Sequence, residues 1–224
     1  MSVPPPPGFD RAESFDRYLA ALLQGDRVCC QACYEEWLAT TPDLRTIYED
    51  LVRRALYAVG DLWQQGKISV ATEHLATAIS EGLLHLSYPR LFAVPRCGRS
   101  AVVAATAGER HQLGVKMVAD MFEWHGWRTW YLGADMPLPD MLDLVGQAAP
   151  DAVALSLTLS ANLPALLHTV AAVRTRFPEL TVLVGGQAFS GGGRERVEAL
   201  AGVRCLTSLA DLETWLSSGH GNRP

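Results

Sequence analysis

Residues 101–114 read AVVAATAGERHQLG. The run at residues 101–106 is short, small and β-branched, which reads as a strand. It stops at Ala107-Gly108, and a helical pattern begins near residue 112 and continues to residue 125. The same alternation then repeats to the end of the chain. Strand-like runs at residues 128–132, 152–157, 181–184 and 203–206 are separated by helical stretches at residues 137–149, 161–177, 194–201 and 208–217. Strands and helices alternating at this spacing predict a parallel, doubly wound sheet. The expected domain is a Rossmann-like, flavodoxin-like α/β sheet of five strands over residues 98–217. Sheets of this kind take ligands at the carboxyl ends of their strands.

Upstream of Gly98 the texture is different. Apolar residues recur at three- and four-residue spacing, as in Phe15, Tyr18, Leu19, Leu22 and in Leu51, Ala55, Leu56, Val59, Leu62, which is helical periodicity. Breaks at Gly25-Asp26, at residues 40–43 with Pro42, and at residues 66–69 have lengths that join antiparallel helices,. Residues 9–95 therefore read as an all-α four-helix bundle, with Pro89 and Pro95 marking its exit. Residues 1–8 form a proline-rich leader, and residues 218–224 a tail.

Composition narrows the function. Of 224 residues, 49% are hydrophobic and 19% charged, the make-up of a globular protein,. A formal net charge of -5 with no long basic run argues against direct nucleic-acid binding,. No apolar stretch approaches the roughly 18 to 20 residues of a membrane span, and Pro4–Pro7 stand where a signal peptide would carry its basic and apolar regions,. The expectation is a cytoplasmic protein. Cysteines 29, 30, 33, 97 and 205 are odd in number and read as reduced structural thiols,. Redox chemistry or pigment attachment is the alternative for Cys29, Cys30 and Cys33.

Three motifs fall where predicted strands end: Glu109-Arg110-His111-Gln112-Leu113-Gly114, then Ser156-Leu157-Thr158, then Gly185-Gly186. Adjacent parallel strands would bring all three to one crevice. His111 offers a ring nitrogen to a metal, and Glu109, two residues earlier, can accept the other N–H and fix the tautomer. Gly114, Gly185 and Gly186 remove side chains where something bulky approaches the backbone, and the Ser156 and Thr158 hydroxyls can bond a buried ligand. Singly, these motifs are ordinary turns and a loop histidine. Together they resemble the cobalamin (vitamin B12) binding domain family, whose signature is Asp or Glu-x-His-x-x-Gly, then Ser-x-Thr or Ser-x-Leu, then Gly-Gly. The spacing matches: 41 residues separate Gly114 from Ser156, and 26 separate Thr158 from Gly185. The resemblance implies that His111 ligates cobalt from below. It also implies that the displaced dimethylbenzimidazole tail enters a channel lined by Gly114, Ser156, Thr158, Gly185 and Gly186.

A second pattern sits in the bundle: Trp63, nine residues, then Glu73-His74. Trp63 precedes the helix stop at Gly66, and Glu73 follows the N-cap candidate Ser69, so both belong to one tight connection. On spacing alone this is a buried Trp beside a first-turn Glu that the helix dipole favours. Next to the cobalamin signature it resembles the Trp-x9-Glu-His motif of CarH-type light sensors. In that family the bundle covers the upper face of adenosylcobalamin, the Trp packs on the adenosyl group and the Glu bonds its ribose; light breaks the cobalt–carbon bond and the bundle shifts. The resemblance carries these roles to Trp63, Glu73 and His74. It implies a light-dependent homo-oligomer acting on a downstream regulatory protein. Two departures stand out. The bundle starts by Phe9, so a stand-alone module without a DNA-binding domain is expected, and Gln64 follows the Trp where the family's best-known pattern has a cobalt-capturing His. The aromatic-rich module also resembles the photocobilins, which bind a linear tetrapyrrole such as biliverdin beside the corrinoid.

A competing expectation is the corrinoid carrier subunit of a methyltransferase system, which joins a helical cap to the same α/β domain. The Trp63, Glu73, His74 pattern speaks against it, because a carrier must uncover its upper face to its partners. A radical mutase would need a substrate barrel of about 250 residues. No catalytic set of side chains is apparent, so the chemistry is expected to be the cofactor's. His85, His125, His168 and His220 lack partners at ligand spacing.

Overall fold

The computed structural model describes residues 8–218, which fall into two compact units divided between Leu91 and Phe92. Most of the expected leader, the end of the tail and His220 lie outside the described residues.

The first unit is helical: α1 (Arg11–Gln24), α2 (Arg27–Thr40), α3 (Leu44–Thr46), a π-helical stretch at Ile47–Arg53, α4 (Arg54–Gln64) and α5 (Val70–Leu84). A 3-10 turn at His85–Ser87 and α6 (Tyr88–Leu91) follow. The starts of α1, α2, α3 and α5 are set by side-chain caps. Asp10, Asp26, Asp43 and Ser69 each accept a backbone N–H of the first turn, and Gly25 ends α1 at φ 72°,. The third expected helix is thus one rod, α3 to α4, with a π-helical section inside it. Pro89 does not end the unit; it lies in the first turn of α6, where no N–H is required,.

The core of this unit is aromatic. Phe15, Tyr18, Tyr34, Trp37 and Tyr48 are buried, and the buried polar tips are paired: Tyr18 with Ser80 Oγ at 3.1 Å, Tyr34 with Ser87 Oγ at 2.8 Å, and Trp37 Nε1 donating to Ser14 Oγ at 3.2 Å,. Tyr18→Phe strands the fully buried Ser80 hydroxyl, and urea denaturation is expected to show a loss of about 1–2 kcal/mol. An unchanged midpoint would mean that Ser80 finds another partner. Burial pushes the Cys30 thiol up to about 12 and, in the second unit, the Cys205 thiol up to about 11. Such thiols stay protonated and unreactive at neutral pH.

The second unit is the expected parallel α/β sheet. Its elements are β1 (Ser100–Thr106), α7 (Leu113–Trp124), β2 (Arg128–Met136), α8 (Leu138–Ala148), β3 (Ala152–Ser156), α9 (Leu163–Arg176), β4 (Thr181–Gly185), α10 (Arg194–Glu198), β5 (Val203–Leu206) and α11 (Leu209–Ser217). All strands are parallel, in the order β2-β1-β3-β4-β5, which is the flavodoxin-like arrangement. Alternation sorts the side chains. Val102, Val153, Leu155, Val182 and Val184 join Met141 and Val145 of α8 and Leu166, Val170 and Val173 of α9 in one core. A second aromatic cluster comprises Phe122 of α7, Trp127, and Trp215 of α11, with ring centroids 5.3 to 6.3 Å apart.

One strand departs from its expected length. β2 runs four residues past the expected end at residue 132, because it bulges twice against β1: Val103 pairs with Tyr131, Ala104 with Gly133, and Thr106 with Met136,. Gly133 and Asp135 take the positive φ values, 74° and 50°, of this irregular stretch. Among the described residues, no helix is long and apolar enough to cross a membrane.

Candidate functional site

In this strand order the chain leaves β1 toward β2 on one side and leaves β3 toward β4 on the other. The two connections diverge, and a crevice opens at the carboxyl ends of β1 and β3,. The loop after β1 carries Glu109 and His111.

Glu109 is fully buried and is the hub of the crevice. Its Oε1 accepts the His111 backbone N–H at 3.1 Å and faces His111 Nδ1 at 2.5 Å. Its Oε2 accepts the N–H groups of Thr158 and Leu159 at 2.9 and 3.0 Å, with Asn162 Nδ2 at 3.5 Å. One carboxylate thereby ties the loop after β1 to the loop after β3. Burial alone would push this acid up, but the hydrogen bonds from Leu159, His111 and Thr158 outweigh it and hold Glu109 below the usual carboxylate range,. An ionised carboxylate can only accept, so His111 must donate from Nδ1. In the neutral ring, that tautomer places the lone pair on Nε2, and the His111 side chain is 52% exposed,.

Around this pair the other expected residues take distinct places. Gly114 is the second residue of α7, and a Cβ added there would meet nothing within 4 Å. Ser156 ends β3 and is buried; Thr158 follows, half-buried. Neither hydroxyl has a hydrogen bond among the described residues, so both are available to a ligand. Thr106, at the end of β1, holds a buried Oγ1 without a partner among the described residues, another polar group with unused capacity at the strand ends. Gly185 and Gly186 also answer a constraint of the fold. A Cβ at Gly185 would lie 2.6 Å from the Leu206 carbonyl oxygen, and one at Gly186, φ 116°, would lie 2.2 Å from that of Leu157. The protein's own backbone passes too close to both for a side chain.

Sequence reasoning missed Asn162, in the 3-10 turn before α9, whose Nδ2 also donates to the Gly108 carbonyl at 3.1 Å. A polar residue just before a Leu-Pro helix start was the available signal.

In the first unit, Trp63 lies in the last turn of α4 and Glu73 in the first turn of α5. Trp63 is 46% exposed rather than buried. The Glu73 carboxylate faces His74 Nδ1 at 2.5 Å and accepts from the Thr77 hydroxyl at 3.0 Å, with His74 exposed. Gln64, next to the Trp, is exposed at the end of α4.

Among the described residues no three His, Cys, Asp or Glu side chains cluster to hold a metal. A protein-only site generally needs three or four such ligands. His111 therefore fits a metal that brings its other ligands with it, as the cobalt of a corrin does, and the open space at Gly114 and the unpaired Ser156 and Thr158 hydroxyls fit a large polar cofactor beside it.

The B12 binding domain family matches residues 99–206, and a second B12 binding domain family matches residues 14–86. The HTH-type transcriptional repressor CarA of Myxococcus xanthus is 34% identical over 136 residues, 60% of this chain and 45% of the repressor. The HTH-type transcriptional repressor CarH of the same organism is 30% identical over 172 residues, 76% of this chain and 56% of the repressor. The chain spans about half the length of these relatives. In fold it is similar to the monomethylamine corrinoid protein of Methanosarcina barkeri, with a TM-score of 0.79 over 92% of this chain and 98% of that one, at 14% identity. With one B12-binding family covering the sheet unit through β5 and another covering the helical unit through α5, the chain belongs to the B12-binding domain family, and its cofactor is a cobalamin.

Proposed function

We propose that this protein is an adenosylcobalamin-binding photoreceptor, a cytoplasmic regulatory module rather than an enzyme. The observation that carries the adenosyl reading is the exposed indole of Trp63, one turn before the α4–α5 break, with Glu73 and His74 just after it. A half-exposed Trp at the end of one helix and a carboxylate in the first turn of the next suit a ligand with an apolar base and a ribose. When bound, adenosylcobalamin supplies a cobalt–carbon bond that visible light breaks. The chain's residues do the rest in this reading. Glu109 accepts from His111 Nδ1, His111 Nε2 would hold the cobalt, and Ser156 and Thr158 would bond the displaced tail. Trp63 would pack on the adenosyl group and Glu73 would bond its ribose. A Trp63 contact to that group would couple the state of the cofactor to the helical unit, with output through a homo-oligomer to a downstream regulatory protein.

Protein purified in darkness with adenosylcobalamin is expected to change both absorption spectrum and elution volume under green light. His111→Ala is expected to shift the dark spectrum toward the form lacking a lower ligand. Biliverdin enters the same test as the proposed second chromophore, marked by an added red band. Binding of methylcobalamin but not adenosylcobalamin, with methyl transfer to a partner enzyme, would replace the sensor with the corrinoid carrier.

A further inference from the structure

The second bulge of β2 ends on a feature the cobalamin reading does not use. Asp135 has φ 50°, a left-handed backbone that residues other than glycine adopt uncommonly, Asn and Asp more readily than most. It makes two hydrogen bonds to the loop after β1. Its Oδ1 accepts the Gly108 N–H at 2.7 Å, and its own N–H donates to the Glu109 carbonyl at 2.8 Å. The Gly108 carbonyl is taken from the other side by Asn162 Nδ2. Residues Gly108 and Glu109 are therefore gripped between the end of β2 and the start of α9. A regular β2 would not present Asp135 this way. The two register shifts against β1 carry its backbone amide and carboxylate to the loop, and bulges characteristically re-aim groups beside functional sites.

We propose that Asp135 is a positioning residue for the lower cobalt ligand: its grip on Gly108 and Glu109 fixes the backbone from which Glu109 orients the His111 imidazole. The proposal rests on the reading of His111 as the axial ligand. Asp135 touches neither His111 nor any group expected to contact cobalt. It acts by narrowing the range of loop conformations, so that Nε2 is presented without further ordering when the cofactor arrives. Because Asp135 is exposed, water competes for its bonds and the effect is moderate.

Two substitutions separate the hydrogen bond from the backbone strain. Asp135→Gly relieves the positive φ and removes the Oδ1 acceptor, while Asp135→Asn keeps an acceptor and tolerates the same φ. The measurements are the dark absorption spectrum and dissociation constant with adenosylcobalamin and with methylcobalamin, plus a thermal melt of the cofactor-free protein. Asp135→Gly is expected to melt near the wild type, to bind about fivefold more weakly, and to shift its spectrum part of the way toward that of His111→Ala. Asp135→Asn is expected to restore the wild-type spectrum. If Asp135→Gly melts far below the wild type, Asp135→Glu, which displaces the acceptor by one methylene, takes its place with the same spectral expectation. A wild-type spectrum in Asp135→Gly while His111→Ala is shifted overturns the proposal and leaves the axial ligand standing. The same spectrum in all three proteins overturns the axial ligand itself. Asp135→Asn behaving like Asp135→Gly overturns the hydrogen-bonded grip in favour of a charge effect.

Discussion

Glu109→Ala is expected to lower the unfolding free energy of the sheet unit by about 3 kcal/mol and to remove tight cobalamin binding. The carboxylate is fully buried and surrounded by donors: the N–H groups of His111, Thr158 and Leu159, the His111 ring and the Asn162 amide. Truncation leaves these donors around a cavity, and a donor stranded away from water costs more than the bond it had made. Glu109→Gln is not a rescue. Its amide puts N–H donors where a carboxylate oxygen accepted from the backbone N–H groups of His111 or of Thr158 and Leu159, so one oxygen must serve partners that two now share,. The pH dependence follows the same bonds. Glu109 titrates below its ordinary range in the folded protein, so its contribution is complete above the unfolded carboxylate's pKa and is lost as pH falls through the lower folded value. Urea midpoints at neutral and acid pH check this. A Glu109→Gln protein with the wild-type midpoint and cobalamin affinity would sink the hub assignment.

Much of this arrangement could be read before the fold was seen, for identifiable reasons. Parallel strands covered on both faces are short apolar runs, so β1, β3, β4 and β5 are visible as composition, and the motifs sit at their ends because that is where the backbone turns. Glu109 and His111 are legible because a carboxylate two residues before an imidazole is a local pattern. What holds Glu109 is not local: the Thr158 and Leu159 contributions are backbone N–H groups, which every residue carries, and they matter here only because β3 lies beside β1. The extension of β2 was hidden for a similar reason. Residues 133–136 lie beyond the strand expected at 128–132, and only pairing with β1 makes them a bulged strand end. Trp63 shows the opposite failure, since a Trp one turn before a helix stop suggests burial, whereas the indole is half open to solvent.

The glycines give the sharpest test, because two of them are expected to respond with opposite signs. Gly186→Ala is expected to destabilise by about 3 kcal/mol or more, enough to leave little folded protein. The new Cβ would sit 2.2 Å from the Leu157 carbonyl oxygen, at a φ of 116° that alanine does not adopt without strain. Leu157 cannot retreat freely, since its N–H is bonded to the Gly185 carbonyl and its carbonyl accepts from Ala188. Gly114→Ala meets no atom within 4 Å and removes a glycine from the first turn of α7, so the cofactor-free protein is expected to gain about 0.5 kcal/mol. If the cobalamin tail passes that point, the added methyl occupies its space, and affinity is expected to fall at least about tenfold, roughly 1.4 kcal/mol. A thermal melt and a cobalamin titration on each variant separate glycines that the fold requires from one that the cofactor requires. A more stable Gly114→Ala protein with undiminished cobalamin affinity would route the tail away from α7, and leave the crevice between β1 and β3 to be entered from another side.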